Sequence, residues 1–139
     1  GSYTVALESF DENLHNIRSE IVQIFRNALK KKNYRIELSS SLELFIKQYD
    51  KTIIIKSLQL LMVWLRDALY LINKSDINNI INHDDLDTLT KFVKAFGNKD
   101  LVYAINNIEK SITYLHRNVS LQITLFSLFT RLRHFFLDL

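Results

Sequence analysis

Apolar residues recur every three or four positions along almost the whole chain, and the gaps between these runs are short and polar. A helix completes a turn in about 3.6 residues, so this spacing stacks side chains on one helical face. Leu7, Phe10, Leu14, Ile17, Ile21, Ile24 or Phe25, and Ala28 make the stripe of a first long helix. Lys30-Lys31-Lys32 then place cations at its negative end. After a connection through Asn33 and Tyr34, Ser40 and Glu43 have the spacing of a capping box and predict a short helix through Leu44, Phe45 and Tyr49. Asp50 caps the next helix, which runs from Lys51 to Asn73. Leu58, Leu61, Met62, Leu65, Leu69 and Ile72 form its main stripe, while Leu60, Val63, Trp64, Ala68 and Leu71 cover most of the remaining circumference. A helix apolar nearly all round is central to its domain or pressed against a partner.

The second half continues in the same way. Ser75 or Asp76 starts a helical turn through Ile77, Ile80 and Ile81, and His83-Asp84-Asp85 caps an amphipathic helix carrying Leu86, Leu89, Phe92, Val93 and Phe96. Gly97 ends that helix at the left-handed position glycine favours. Asn98 caps a helix bearing Leu101, Ile105, Ile108, Ile112 and Leu115. A break at Arg117-Asn118 precedes a last helix with Leu121, Leu125, Leu128, Leu132 and Phe135. No repeat of fixed period and no linker interrupts the pattern. It predicts an all-α fold, a single bundle of about six helices over residues 3–139, with Gly1-Ser2 read as a tag remnant.

Composition narrows the picture. The 139 residues include no proline and only 2 glycines, which leaves few sites for hairpins and disfavours a sheet fold. With no cysteine, disulfides, thiolate metal sites and cysteine nucleophiles are excluded. A net charge of +3 is too mild to mark a nucleic-acid-binding domain, so any contact with DNA is expected to be weak or indirect. The apolar run from Ile53 to Ile72 carries Lys56, Gln59, Arg66 and Asp67, and reads as a core helix with no membrane role. No N-terminal segment has the build of a secretory leader.

Candidate chemistry is sparse. His15, His83, His116 and His134 lack paired-ligand spacing, and a lone Gly97 cannot make a phosphate loop, so neither a metal nor a cofactor is expected, and no catalytic residue is assigned. His83-Asp84-Asp85-Leu86-Asp87 reads as a helix start before it reads as a metal cluster. Arg26, Lys30, Lys31, Lys32 and Arg35 read as a solvated helix end, with phosphate contact as the alternative. Gln122-Ile123-Thr124-Leu125-Phe126 looks like the short peptide with which bacterial replication proteins bind the sliding clamp. It falls inside a periodic helix, which favours packing residues over an extended ligand.

Two polar islands stand out. Trp64-Leu65-Arg66-Asp67-Ala68-Leu69 places a charge pair on the most apolar helix, and Arg117-Asn118-Val119-Ser120-Leu121 makes a polar joint before the last one. Buried polar groups need partners. The expectation is that Asp67 accepts hydrogen bonds from Arg117 or from backbone near Asn118, with Arg66, Asp67, Arg117 and Asn118 acting as structural contacts. The surplus of apolar residues further predicts that Leu60, Trp64, Leu71, Phe135 and Phe136 include both core and interface positions.

These islands, with Ile81-Asn82-His83-Asp84-Asp85-Leu86, Leu89-Thr90-Lys91-Phe92 and Ile105-Asn106-Asn107-Ile108-Glu109 between them, resemble the C-terminal domain of the bacterial DNA polymerase III delta-prime family, from about Phe45 to Leu132. That family has a W-x-R-D-like stretch on one helix and an R-N-x-N-like joint; Ser120 stands here for the second Asn. The resemblance implies a collar domain of the clamp loader, preceded by a nucleotide-binding AAA+-type region. It would be a non-enzymatic, cytoplasmic structural piece that packs with the other loader subunits, gamma/tau and delta. Alternatives are the collar of one of those paralogues, or a helical regulatory domain that binds a ligand or nucleic acid.

Overall fold

Helices form where the periodicity places them. A computed structural model describes residues 12–73 and 77–139, and within them six α-helices follow one another: α1 (Glu12–Ala28), α2 (Tyr34–Gln48), α3 (Lys51–Ile72), α4 (Leu86–Phe96), α5 (Leu101–His116) and α6 (Leu121–Leu137). Two 3-10 turns, Ile77–Asn79 and His83–Asp85, bridge α3 to α4. The fold is an all-α bundle of six helices, as the pattern predicts, with no strand among the described residues. Leu7, Phe10, Ser75 and Asp76 lie outside the described residues.

Helix α3 packs against α1, α4 and α5, while α6 packs against α1, α2 and α5. Only Thr52 of α3 is exposed, so its apolar circumference is matched by burial on nearly every side. Helix α4 lies against α3 and seals the bundle with aromatic rings. Phe92 packs 5.1 Å from Trp64, 5.7 Å from Phe25 and 5.6 Å from Phe136, mostly edge-on or tilted, the geometry that the ring quadrupole favours.

Several local expectations fail for physical reasons. Ser40 does not begin a helix: α2 starts six residues earlier at Tyr34, after Asn33, which sits at φ 59° and makes no side-chain cap. Leu38, Leu42 and Phe45 bury one stripe across the whole of α2, and that packing overrides the local capping box. Asp100 caps α5, in place of Asn98, by accepting from the Val102 and Tyr103 amides at 3.1 and 3.4 Å. Gly97 is right-handed at φ −65°. It is glycine because the turn is tight: its N–H donates to Val93 O at 2.7 Å, and an added Cβ would lie 2.5 Å from that same oxygen.

The left-handed positions fall to other residues. Asn33, Asn118 and Asp138 take positive φ of 59°, 62° and 57°. Short polar side chains tolerate this region best after glycine. A chain almost without glycine thus turns its corners on Asn and Asp. Asp50 does cap α3, accepting from Ile53 N at 3.0 Å.

Candidate functional site

Asp67, 1% exposed, lies at the centre of a buried polar network towards the C-terminal end of α3. Its carboxylate accepts from Ile81 N at 3.0 Å, Asn82 N at 2.8 Å and Asn82 Nδ2 at 2.7 Å. Asn82, itself 1% exposed, accepts in turn from Arg18 Nη1 at 3.0 Å. Arg18 also grips Asp84 with both terminal nitrogens, at 2.9 and 2.7 Å. His15 Nδ1 lies 3.3 Å from the same Asp84 carboxylate. The Arg18 hydrogen bonds, reinforced by its charge, hold the Asp84 carboxyl below its ordinary 3.8 despite partial burial. Next to it, Asp85 accepts from Trp64 Nε1 at 2.7 Å.

The expected pairing of Asp67 with Arg117 or the Asn118 backbone therefore does not form. Lys51, at the start of α3, donates to Asn118 Oδ1 at 2.8 Å, so the joint lies at that end of the helix. Asp67 stands sixteen residues further along α3, about 24 Å at about 1.5 Å per residue. Its partner is the segment that returns beside the C-terminal part of α3. The acids of His83-Asp84-Asp85 likewise do not cap α4 through their side chains; Asp85 occupies the N-cap position and makes no such bond. Both are engaged in tertiary contacts with Arg18 and Trp64.

Arg66 is half-buried and turns back along its own helix, donating to Tyr70 OH at 3.0 Å. Arg117 is exposed, and its backbone N–H contributes by closing α5 onto Thr113 and Tyr114 carbonyls. Asn118 and Val119 N–H groups bond to Leu115 O and Tyr114 O, both at 3.1 Å, with Asn118 left-handed between them. Ser120 then caps α6, accepting from Ile123 N at 3.4 Å. Serine is among the residues whose side chains cap helices best.

Leu60, Trp64 and Phe136 prove to be core, at 2%, 0% and 2% exposure; Leu71 and Phe135 are half-buried against it. Six of the nine large hydrophobics exposed among the described residues instead gather on α5, the joint and α6: Val102, Tyr103, Tyr114, Val119, Ile123 and Phe126. Tyr103 stacks 4.5 Å from Phe135, and Arg131 Nε donates to Asn107 Oδ1 at 3.3 Å, tying the two helices into one hairpin. Within the Gln122–Phe126 segment Thr124 and Leu125 are buried, while Gln122, Ile123 and Phe126 face out from helical backbone.

Two buried arginines carry no expectation from the sequence pattern. Arg18 lies four residues from both Leu14 and Val22, a charge beside an apolar stripe, which is the signal that could have found it. Arg133 is 6% exposed and donates to Ala28 O at 2.9 Å and to Lys30 O, closing the C-terminus of α1; its guanidinium lies 3.6 Å from the Tyr34 ring centre. The lysines of 30–32 were expected in that role, and Lys30 pairs with Glu37 at 2.7 Å. Among the described residues no group of three His, Asp or Glu could hold a metal ion, and no helix is long and apolar enough to cross a membrane. Comparison with protein-family models, curated proteins and solved structures finds no match to this chain.

Proposed function

We propose that this chain is an assembly domain, the helical collar of a clamp-loader subunit of the delta-prime type, which packs beside the gamma/tau and delta collars while the loader places the sliding clamp on primed DNA. In that reading the domain does no chemistry of its own and belongs to the DNA polymerase III assembly in the cytoplasm. The observation that carries the assembly role is that six of the nine large hydrophobics exposed among the described residues, Val102, Tyr103, Tyr114, Val119, Ile123 and Phe126, lie on α5, α6 and the joint between them. Support for the clamp-loader form comes from the resembling segments and from what their residues do in the bundle. Asp67 of the W-x-R-D stretch holds the Ile81-Asn82 segment, and Asn118 and Ser120 of the joint close α5 and start α6.

The test is reconstitution with the gamma/tau and delta subunits of the same source, read by size-exclusion chromatography with light scattering. The chain should co-elute with them, and the Ile123→Glu/Phe126→Glu variant should not, with its helical circular dichroism unchanged. Independent elution of the folded chain would count against the reading. Steep salt-dependent affinity for DNA would favour the nucleic-acid alternative.

A further inference from the structure

A cleft of about 220 Å³ opens between α1 and α4, with Leu29, Trp64, Phe92 and Phe96 in its lining. Its floor is rigid: Trp64 is fully buried and its Nε1 is held by Asp85 at 2.7 Å, and Phe92 packs edge-on against Trp64. Arg26 of α1 and Lys91 of α4 also line the cleft; both are exposed, and neither side chain forms an ion pair or hydrogen bond with a described residue. The acids of the two helices leave them unneutralised. Asp87, the one acid of α4, stands a turn before Lys91 without pairing to it, and Glu20, the α1 acid nearest Arg26 in sequence, accepts from Tyr49 OH at 3.0 Å.

The volume is below the roughly 300–1,000 Å³ of sites for nucleotides or drug-sized ligands. It accommodates one ring or one branched alkyl group. An aromatic floor with two unneutralised cations at its rim is complementary to a ligand that is apolar at one end and anionic at the other. We propose that this cleft binds a small monocarboxylate, with an aryl or branched alkyl group seated on Phe92 and Phe96, above the buried Trp64, and the carboxylate paired with Arg26 and Lys91. The site is separate from the α5–α6 face and stands independently of the assembly role.

Trp64 is the only tryptophan, so its fluorescence reports occupancy directly. The full chain is titrated with 4-phenylbutyrate, and in parallel with the neutral 4-phenylbutanamide. Saturable binding of the acid is expected, at least about tenfold tighter than that of the amide. Arg26→Gln/Lys91→Gln should weaken the acid about tenfold and leave the amide unchanged. Ala95→Phe, at an exposed α4 position lining the cleft, should block both while leaving Trp64 the only tryptophan. Amide rejection separates this site from a merely greasy groove. Three results overturn the proposal: no saturation by about 10 mM acid, equal affinity for acid and amide, or full binding by a folded Ala95→Phe variant.

Discussion

The two polar islands that interrupt the apolar pattern have opposite characters in the fold. Around Asp67 the polar groups are buried and bonded across long stretches of chain: Arg18 in α1, Asp67 in α3 and Asn82 after it converge at 5%, 1% and 1% exposure. Around Asn118 they are exposed and bonded mainly to near neighbours, apart from the single reach of Lys51. Both are polar, yet they differ in what removing a partner leaves behind. At the first, the orphaned groups are out of water and cost their full desolvation; at the second, water replaces the lost partner.

That contrast can be broken by substitution, and the largest effect is expected at the buried node. Asp67→Ala leaves Asn82 and two backbone amides without an acceptor and should cost about 3–5 kcal/mol in urea unfolding. A loss under about 1 kcal/mol would mean that the network is not what holds the 77–85 segment. Coupling follows the same division. A double-mutant cycle of Asp67→Asn with Asn82→Ala should show about 1–3 kcal/mol of interaction energy, whereas Asp67→Asn with Asn118→Ala should be additive within about 0.5 kcal/mol.

At the joint the expected effects are smaller. Asn118→Ala keeps a β-carbon at φ 62° but loses the short polar side chain that makes this conformation tolerable, and should cost about 1 kcal/mol, while Asn118→Gly should be near neutral, because glycine takes the left-handed conformation freely. Ser120→Ala removes the α6 cap and should cost about 1 kcal/mol. Gly97→Ala tests a third kind of corner. Its right-handed φ would ordinarily make alanine stabilising, but the approach to Val93 O turns the sign, and a loss of about 1 kcal/mol is expected in thermal unfolding.

The mildest effect is pH dependence at the edge of the buried node. The Asp84 carboxyl is depressed in the folded state by Arg18, so it contributes stability above the ordinary carboxylate value and loses that contribution as pH falls through its folded value. Asp84→Asn should therefore flatten the loss of stability below about pH 4 relative to the native chain. Parallel acid curves for the two proteins would show that Arg18 does not hold this carboxylate.

Much of the fold was legible because the packing that stabilises it most leaves a periodic mark on the chain. The stripes of α3, α5 and α6 alternate every three to four residues, and burial of such stripes dominates local preference. What escaped was non-periodic or long-range. The capping box at Ser40 lost to the longer stripe of Leu38, Leu42 and Phe45. The Asp67 partner was misplaced because nothing in a linear pattern says which segment returns to lie beside the C-terminal part of α3. Arg133, which closes α1 from the far end of the chain, had no local signal at all. For the candidate interface, an excess of apolar residues was readable, but which of them face outward depends on three-dimensional packing. Leu60, Trp64 and Phe136 were absorbed inside, and most of the outward residues lie on α5, the joint and α6, with Ile36 and Leu44 exposed on α2.

On the proposed function, the polar islands hold the bundle while the α5–α6 hairpin meets the partner. Hydrogen–deuterium exchange of the chain alone and mixed with the gamma/tau and delta subunits tests it most directly. Amides around Val102, Tyr103 and Tyr114 in α5 and through Val119–Phe126 should gain protection, with the segment at Ile81-Asn82 protected equally in both samples. Protection that appears on α2 or α4 instead, or no change anywhere on mixing, would contradict the account.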